Sequence, residues 1–297
     1  MKKIVKKQDG NVLVLTSLSF IVLLLMTGLV IDGGMLFMTK SHLQKVANAA
    51  VLSGGQELPY EENQVRTVIN HIMTAHNEAD SLEEVYIEPN HKIRVQLVKP
   101  VKLNFLRLLG IEHIDVRAKA TARLGVMGRA VGVAPLGIDE SIPLEFGKSY
   151  SLKVSSDSVD TGNFGIFALE APGASTYEDN LRNGYQAELK VGDIVDTQTG
   201  NVAGKTQTVI NEKVNSCSDM YQRDCSRVIL VIVYKPYNQV TNQLKQVEVT
   251  GFAYFYVTEQ MSNNDTSITG VFIKKADTGF EFSNAQNKGA YIVRLSE

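Results

Sequence analysis

The segment VLVLTSLSFIVLLLMTGLVI, residues 12–31, constrains this chain more than any other, because it runs for twenty residues without a charge. At about 1.5 Å of rise per residue such a helix is about 30 Å long, the thickness of a bilayer's hydrocarbon core. Val12, Leu18, Leu24 and Ile31 mark the predicted membrane helix. Lys2, Lys3, Lys6 and Lys7 precede it, and the next lysines are Lys40 and Lys45. Basic flanks stay on the cytoplasmic side. The expected localisation is therefore the cell membrane, crossed once, with residues 1–9 in the cytoplasm and the chain from about residue 40 outside. A cleaved secretory signal is the rival reading, because Ala47-Asn48-Ala49 has the A-x-A form. That site lies well past the apolar run, and the run exceeds a signal core of roughly 7–15 residues.

Helical spacing continues beyond Asp32. Leu36, Leu43, Val46, Ala47 and Ala50 form one apolar stripe, and Ala47, Ala50 and Gly54 add a strip of small residues that permits close approach of another element. Gly54-Gly55 and Pro59 end the pattern, so one helix is predicted from about Asn11 to Ser53. Asp32 closes the apolar run. It either meets a polar group of a partner helix or sits in interfacial water. The small-residue strip likewise faces either an assembly partner or the chain's own exported part.

The rest reads as an α+β chain. Val65, Val68, Ile69, Ile72 and Met73 predict a helix within 61–79. Strands follow at 85–87, 93–97 and 114–124, with a short helix over 102–109 ended by Gly110. From about residue 131, β-branched segments alternate with Gly/Asn/Asp turns. Strands are predicted at 131–138, 150–155, 164–169, 227–235, 246–258, 269–275 and 290–295, and helical patches near 176–183 and 205–214. SDSVDTGN at 156–163 reads as a turn. The predicted organisation is a membrane anchor (1–57), a small α+β unit (58–128) and a β-rich exported domain (129–297).

The formal net charge of −2 offers no basic excess for nucleic acid. Cys217 and Cys225 are the two cysteines. Outside the membrane such a pair reads as a disulfide closing a short loop, with two free thiols as the alternative. The five histidines all precede residue 114, so no local Cys/His metal set exists. No G-x-S-x-G, H-E-x-x-H or P-loop pattern occurs. Gly200-Asn201-Val202-Ala203-Gly204-Lys205-Thr206 has one residue too few before Gly-Lys for a phosphate loop, and reads as a turn entering a helix. Asn264-Asp265-Thr266 matches a glycosylation sequon, a pattern frequent by chance. Neither an enzyme nor a cofactor is expected.

Residues 9–55 carry a recognisable order of marks. Gly10-Asn11 opens the apolar run, Ile31-Asp32-x-Gly34 ends it, and Leu43-Gln44 and Ala47-Asn48-Ala49-Ala50-x-Leu52 follow. This resembles the amino-terminal segment of the TadE/TadG-like proteins of the tight-adherence (Flp) pilus assembly system. GNFGIFAL, DNLRNG, VGDIVDTQTGNVAGKT and DCSRVILVIV resemble the exported part of TadG-like proteins. Asn48 stands where the family often has Asp, and Met35 where it often has Arg. The DxSxS signature of a von Willebrand-type metal module is missing at Asp157-Ser158-Val159-Asp160. Were Gly10 a prepilin cleavage site, Leu15 would occupy the position where pilins carry Glu. The resemblance implies a membrane-anchored structural or assembly protein of an Flp-type pilus or related envelope apparatus. Its expected partners are the lipid bilayer and other pilus-assembly or pilin-like membrane proteins. A membrane-tethered binding module for a cell-wall or host ligand is the alternative.

Overall fold

The computed structural model describes residues 9–153, 164–198, 201–237, 244–262, 267–277, 279–282 and 284–296. The lysine flank of residues 2–7, the predicted turn at 156–163, Gly200 and the sequon at 264–266 lie outside the described residues.

Helix α1 runs from Asp9 to Gly55 as one 47-residue element, about 70 Å long. Its two halves differ in environment. Val12, Leu18, Leu24 and Ile31 are exposed, as is nearly all of the apolar run. The helix is long and apolar enough to cross a membrane, and it is the one candidate span among the described residues. In the second half Leu43, Val46, Ala47, Ala50 and Val51 are fully buried. The helix stops at Gly54-Gly55, where the amides of Glu57 and Leu58 turn back onto the two glycine carbonyls. Helix α2 (Glu62–Ala75) follows and buries Val65, Ile69 and Met73, the i, i+4, i+8 stripe of an amphipathic helix.

Strands β1 (Leu82–Glu88), β2 (Lys92–Lys102) and β3 (His113–Ala130) form an antiparallel ladder. The predicted 114–124 strand thus extends at both ends. Along β3, Val116, Ala118, Ala120 and Ala122 are buried and pack with Leu43, Val46, Ala47 and Ala50 of α1 in one cluster. Small side chains on both surfaces let the helix lie close to the sheet.

Next come β4 (Val133–Asp139), β5 (Ser149–Lys153), β6 (Phe164–Ala168), helix α3 (Ala174–Asn183), β7 (Leu189–Lys190) and β8 (Ile194–Thr197). Helix α4 (Ala203–Val214) precedes β9 (Val228–Tyr237), β10 (Gln246–Val257), β11 (Ser267–Ile273) and β12 (Lys275–Asp277). The short β13 (Phe280–Glu281) and β14 (Gln286–Asn287) lead to β15 (Ala290–Ser296).

The first sheet has the order β1-β2-β3-β15-β12, with β7 and β13 on the far end of β3. The predicted boundary between 58–128 and 129–297 falls inside β3, which keeps pairing through Ala130. The carboxy-terminal β15 returns to pair with β3 across Thr121–Val126. Such a pairing joins residues far apart in sequence and leaves no local mark.

In the second sheet β10 pairs with β8, β8 with β6, β6 with β4, β4 with β9, and β9 with β10. These five strands close into a barrel, and β11 and β5 extend it from β10. Strand β9 reads VILVIVYKPY because both its faces are covered. Ile229, Val231 and Val233 pack with Tyr177 and Leu181 of α3 and Val209 and Ile210 of α4. Leu230, Ile232 and Tyr234 join the other cluster with Phe167. Gly137 is needed there, since a Cβ would meet Ile232 at 2.6 Å and Phe167 at 2.7 Å.

Candidate functional site

Of the residues in the TadE/TadG-like pattern, Asp32, Leu43, Gln44, Ala47 and Ala50 lie along the seam where α1 leaves its exposed half and docks on the sheet. Asp32 is wholly buried there. Its Oδ1 accepts the amide N–H of Asn104 at 2.9 Å, and its Oδ2 accepts those of Phe105 at 2.9 Å and Leu106 at 2.7 Å. Leu106–Leu109 is the short helix predicted within 102–109, here a 3₁₀ turn, and Gly110 ends it at φ 86°. The carboxylate therefore satisfies amides that the first turn of a short helix cannot pair internally. One turn earlier on the same face, the Phe105 ring lies against Gly28, where a Cβ would come within 2.5 Å of it.

Further along α1, the Lys40 ammonium donates to the Arg117 carbonyl, and the Gln44 amide donates to the Lys119 carbonyl at 2.8 Å and to Asn48 Oδ1 at 3.1 Å. Leu43, Ala47 and Ala50 fill the cluster beneath. A Cβ on Gly54 would meet Ile69 at 3.0 Å and Ile93 at 3.2 Å, so α2 and β2 close over that glycine. Asp32, Ala47, Ala50 and Gly54 thus all face the chain's own residues.

Two side-chain clusters brace the seam. Glu78 is buried and accepts from Lys99 Nζ at 2.5 Å and from the Ser81 hydroxyl, with His42 Nε2 of α1 at 3.3 Å. Burial opposes its ionisation, but the hydrogen bonds from Lys99 and Ser81 and the charges of Lys99 and His42 outweigh it. Its carboxyl is held below the usual glutamate value. The second brace is the Cys217–Cys225 disulfide loop, whose Cα atoms are 5.6 Å apart, within the ordinary disulfide range. Arg223 in that loop donates to Glu57 Oε1 at 3.0 Å and to the Ser53 carbonyl at 3.3 Å. The Tyr221 ring meets Tyr60 edge-on at 4.9 Å. Arg227 ties the loop's base by donating to the carbonyls of Cys217, Val257 and Thr258.

A polar cleft of about 320 Å3 opens beside this loop, lined in part by Arg182, Lys213, Arg223, Asp224, Lys275 and Asp277. Its cations already have partners. Arg182 binds Glu178 and Glu212, Lys213 donates to the Arg182 carbonyl, and Lys275 donates to the Arg223 carbonyl. Burial lowers the pKa of both lysines. The cleft is a seam between packed elements. Thr206 of the phosphate-loop-like segment is buried against Val202 and Tyr177 and has no room for a ligand. Among the described residues no group of three metal-ligating side chains occurs.

Sequence reasoning placed Asp32 at the end of the span but missed its partner. A lone carboxylate closing an apolar run signals that amides or cations are near, yet nothing local identifies them as residues 72 to 74 positions away. The partner of Gln44, and the roles of Glu78 and Arg223, were missed for the same reason.

No curated protein and no solved structure matches the chain. Residues 10–57 match the Tad family model, described as "Putative Flp pilus-assembly TadE/G-like". That match covers about a sixth of the chain and coincides with α1, its docking face and the turn that ends it. The amino-terminal segment of this protein is therefore similar to the TadE/G-like family over residues 10–57.

Proposed function

We propose that this chain is a single-pass, membrane-anchored structural protein of a bacterial Flp-type (tight-adherence) pilus or related envelope apparatus. Residues 1–9 lie in the cytoplasm and the α+β body outside. The observation that carries the reading is the division of α1. An exposed apolar half of bilayer length continues without a break into a half bonded to the body at Asp32, Gln44 and Ser53. A helix so built is a rigid stalk, and displacement of its membrane half moves the whole body. The lysine flank supports the orientation, and a disulfide suits an oxidising compartment.

No chemistry is required of such a protein. Since Asp32, Ala47, Ala50 and Gly54 are used internally, pilus-assembly or pilin-like partners in the membrane meet α1 on its exposed Val12–Ile31 surface. Thr16 and Ser17 there bond back to their own helix carbonyls, so contact with a partner is mainly apolar. The test is a deletion strain examined for Flp fibres by electron microscopy. The full chain is expected to restore fibres, and a chain whose span is replaced by a cleavable signal is expected not to. Normal fibres in the deletion strain would remove the assembly role.

A further inference from the structure

Strands β2 and β3 are joined by a loop whose base is closed by the Leu103 amide donating to the Glu112 carbonyl at 3.0 Å. Its tip carries Phe105, Leu108, Leu109 and Ile111, and Ile114 follows at the start of β3. All five are exposed, Leu108 at 80% and Leu109 at 66%. Single exposed apolar residues are ordinary, but a contiguous group at a loop tip marks a contact surface.

The loop's position on α1 identifies what it contacts. Asp32, which holds the amides of residues 104–106, is the first residue beyond the apolar run. Gly28, against which Phe105 lies, is inside that run, about 4.5 Å below Ile31 at 1.5 Å per residue. The loop therefore stands at the depth where the hydrocarbon core ends, beside the exposed apolar half of α1. Arg107 lies among them and is exposed, with a side chain long enough to reach lipid phosphate while its stem lies on apolar surface. We propose that residues 104–111 enter the outer headgroup–acyl boundary of the bilayer beside α1 and form a second, shallow membrane contact. Interfacial helices and apolar side chains are stable at that boundary. Two contacts on different elements fix the rotation and tilt of α1, and so the attitude of the body above the membrane. This rests on the reading that α1 spans the bilayer.

The experiment uses the full chain, disulfide intact, in phosphatidylcholine vesicles containing a minority of phosphatidylglycerol. An environment-sensitive fluorophore is attached to Leu108→Cys, Leu24→Cys or Glu62→Cys in separate samples. Doxyl groups are placed either near the lipid headgroup or near the chain end. Leu108 is so exposed that its replacement removes no core contact, and Leu109→Cys serves as a second variant. The probe at 108 is expected to shift to the blue and to lose more emission to shallow than to deep doxyl groups. The probe at 24 is expected to lose more to deep ones, and the probe at 62 to respond only to aqueous iodide. Quenching of the 108 probe by iodide alone, with the 24 probe still quenched by lipid, would overturn the loop contact and leave the span intact. Protection of 108 from both quenchers would mean that protein covers the loop, and would overturn it equally. Failure of lipid to quench the probe at 24 would instead remove the spanning reading beneath it.

Discussion

Asp32 is expected to act as a staple whose loss frees the 103–112 loop without unfolding the body. The informative change is Asp32→Asn, which keeps the shape and removes the charge. Three amide donors end on the carboxylate at 2.7–2.9 Å. Hydrogen bonds to a charged group contribute about 1.5–3 kcal/mol each. An asparagine oxygen can retain at most the donors of one side, while its NH2 group faces the remaining N–H. One or two of the three bonds are thus lost, and exposed parts of the loop recover some bonding from water, so the loss is about 3 kcal/mol. At about 1.4 kcal/mol per tenfold, local opening becomes about 100-fold more frequent. Hydrogen exchange on the lipid-reconstituted full chain reads this directly. The amides of 104–106 are expected to exchange about two orders of magnitude faster, with those of the central β2 residues unchanged. Unchanged protection at 104–106 would refute the staple, and uniform acceleration throughout the sheet would show that Asp32 supports the whole fold instead.

The double change Cys217→Ser, Cys225→Ser is expected to cost about 2–3 kcal/mol from released loop entropy, read as a lower Tm. Arg227 still ties the loop's base, so the fold survives, and two free thiols on the native protein under denaturing, non-reducing conditions would defeat the claim. Ala50→Leu is expected to cost about 1–3 kcal/mol by overpacking α1 against the sheet, and a neutral result in denaturant titration would mean the seam has slack. Glu78 has a folded pKa below its ordinary value of 4.5, so its contribution is present above that value and lost as pH falls through the folded pKa. The stability gap between wild type and Glu78→Gln should therefore shrink on acidification below about pH 4.5, and a gap that widens contradicts the assignment. A cysteine at position 62 should react with an impermeant maleimide on cells whose outer membrane, if present, is permeabilised, and one at position 5 should not; reversed labelling would invert the topology.

Much of the architecture is legible in the chain because it is decided locally. The apolar run of 12–31 is read from length and the absence of charge. Helices at Glu62–Ala75, Ala174–Asn183 and Ala203–Val214 follow from periodicity, and Gly110 stops the Leu106–Leu109 turn where its backbone requires φ 86°. Strands β9 and β10 are evident from their β-branched and aromatic content. The closeness of Cys217 and Cys225 made the disulfide a natural reading. By contrast, the short β7, β8, β13 and β14 are held by their neighbours and carry no pattern of their own.

What the sequence by itself determined is the apolar helix long enough to cross a membrane, the kinds of elements and the TadE/TadG-like marks along α1. What only the tertiary structure decided is what those marks touch. Asp32 suited a partner helix or interfacial water and instead binds the chain's own amides, while the strip of Ala47, Ala50 and Gly54 suited a partner as well as the protein's own body, because small or charged residues on a helix face state what they need and leave the supplier open. The answer depends on β3 reaching Ala130, on β15 returning from the carboxy terminus, and on the 104–106 amides arriving beside Asp32. Each of these joins positions many residues apart. Such contacts arise from chain closure and packing of the whole body, for which no local stretch of residues holds a signal.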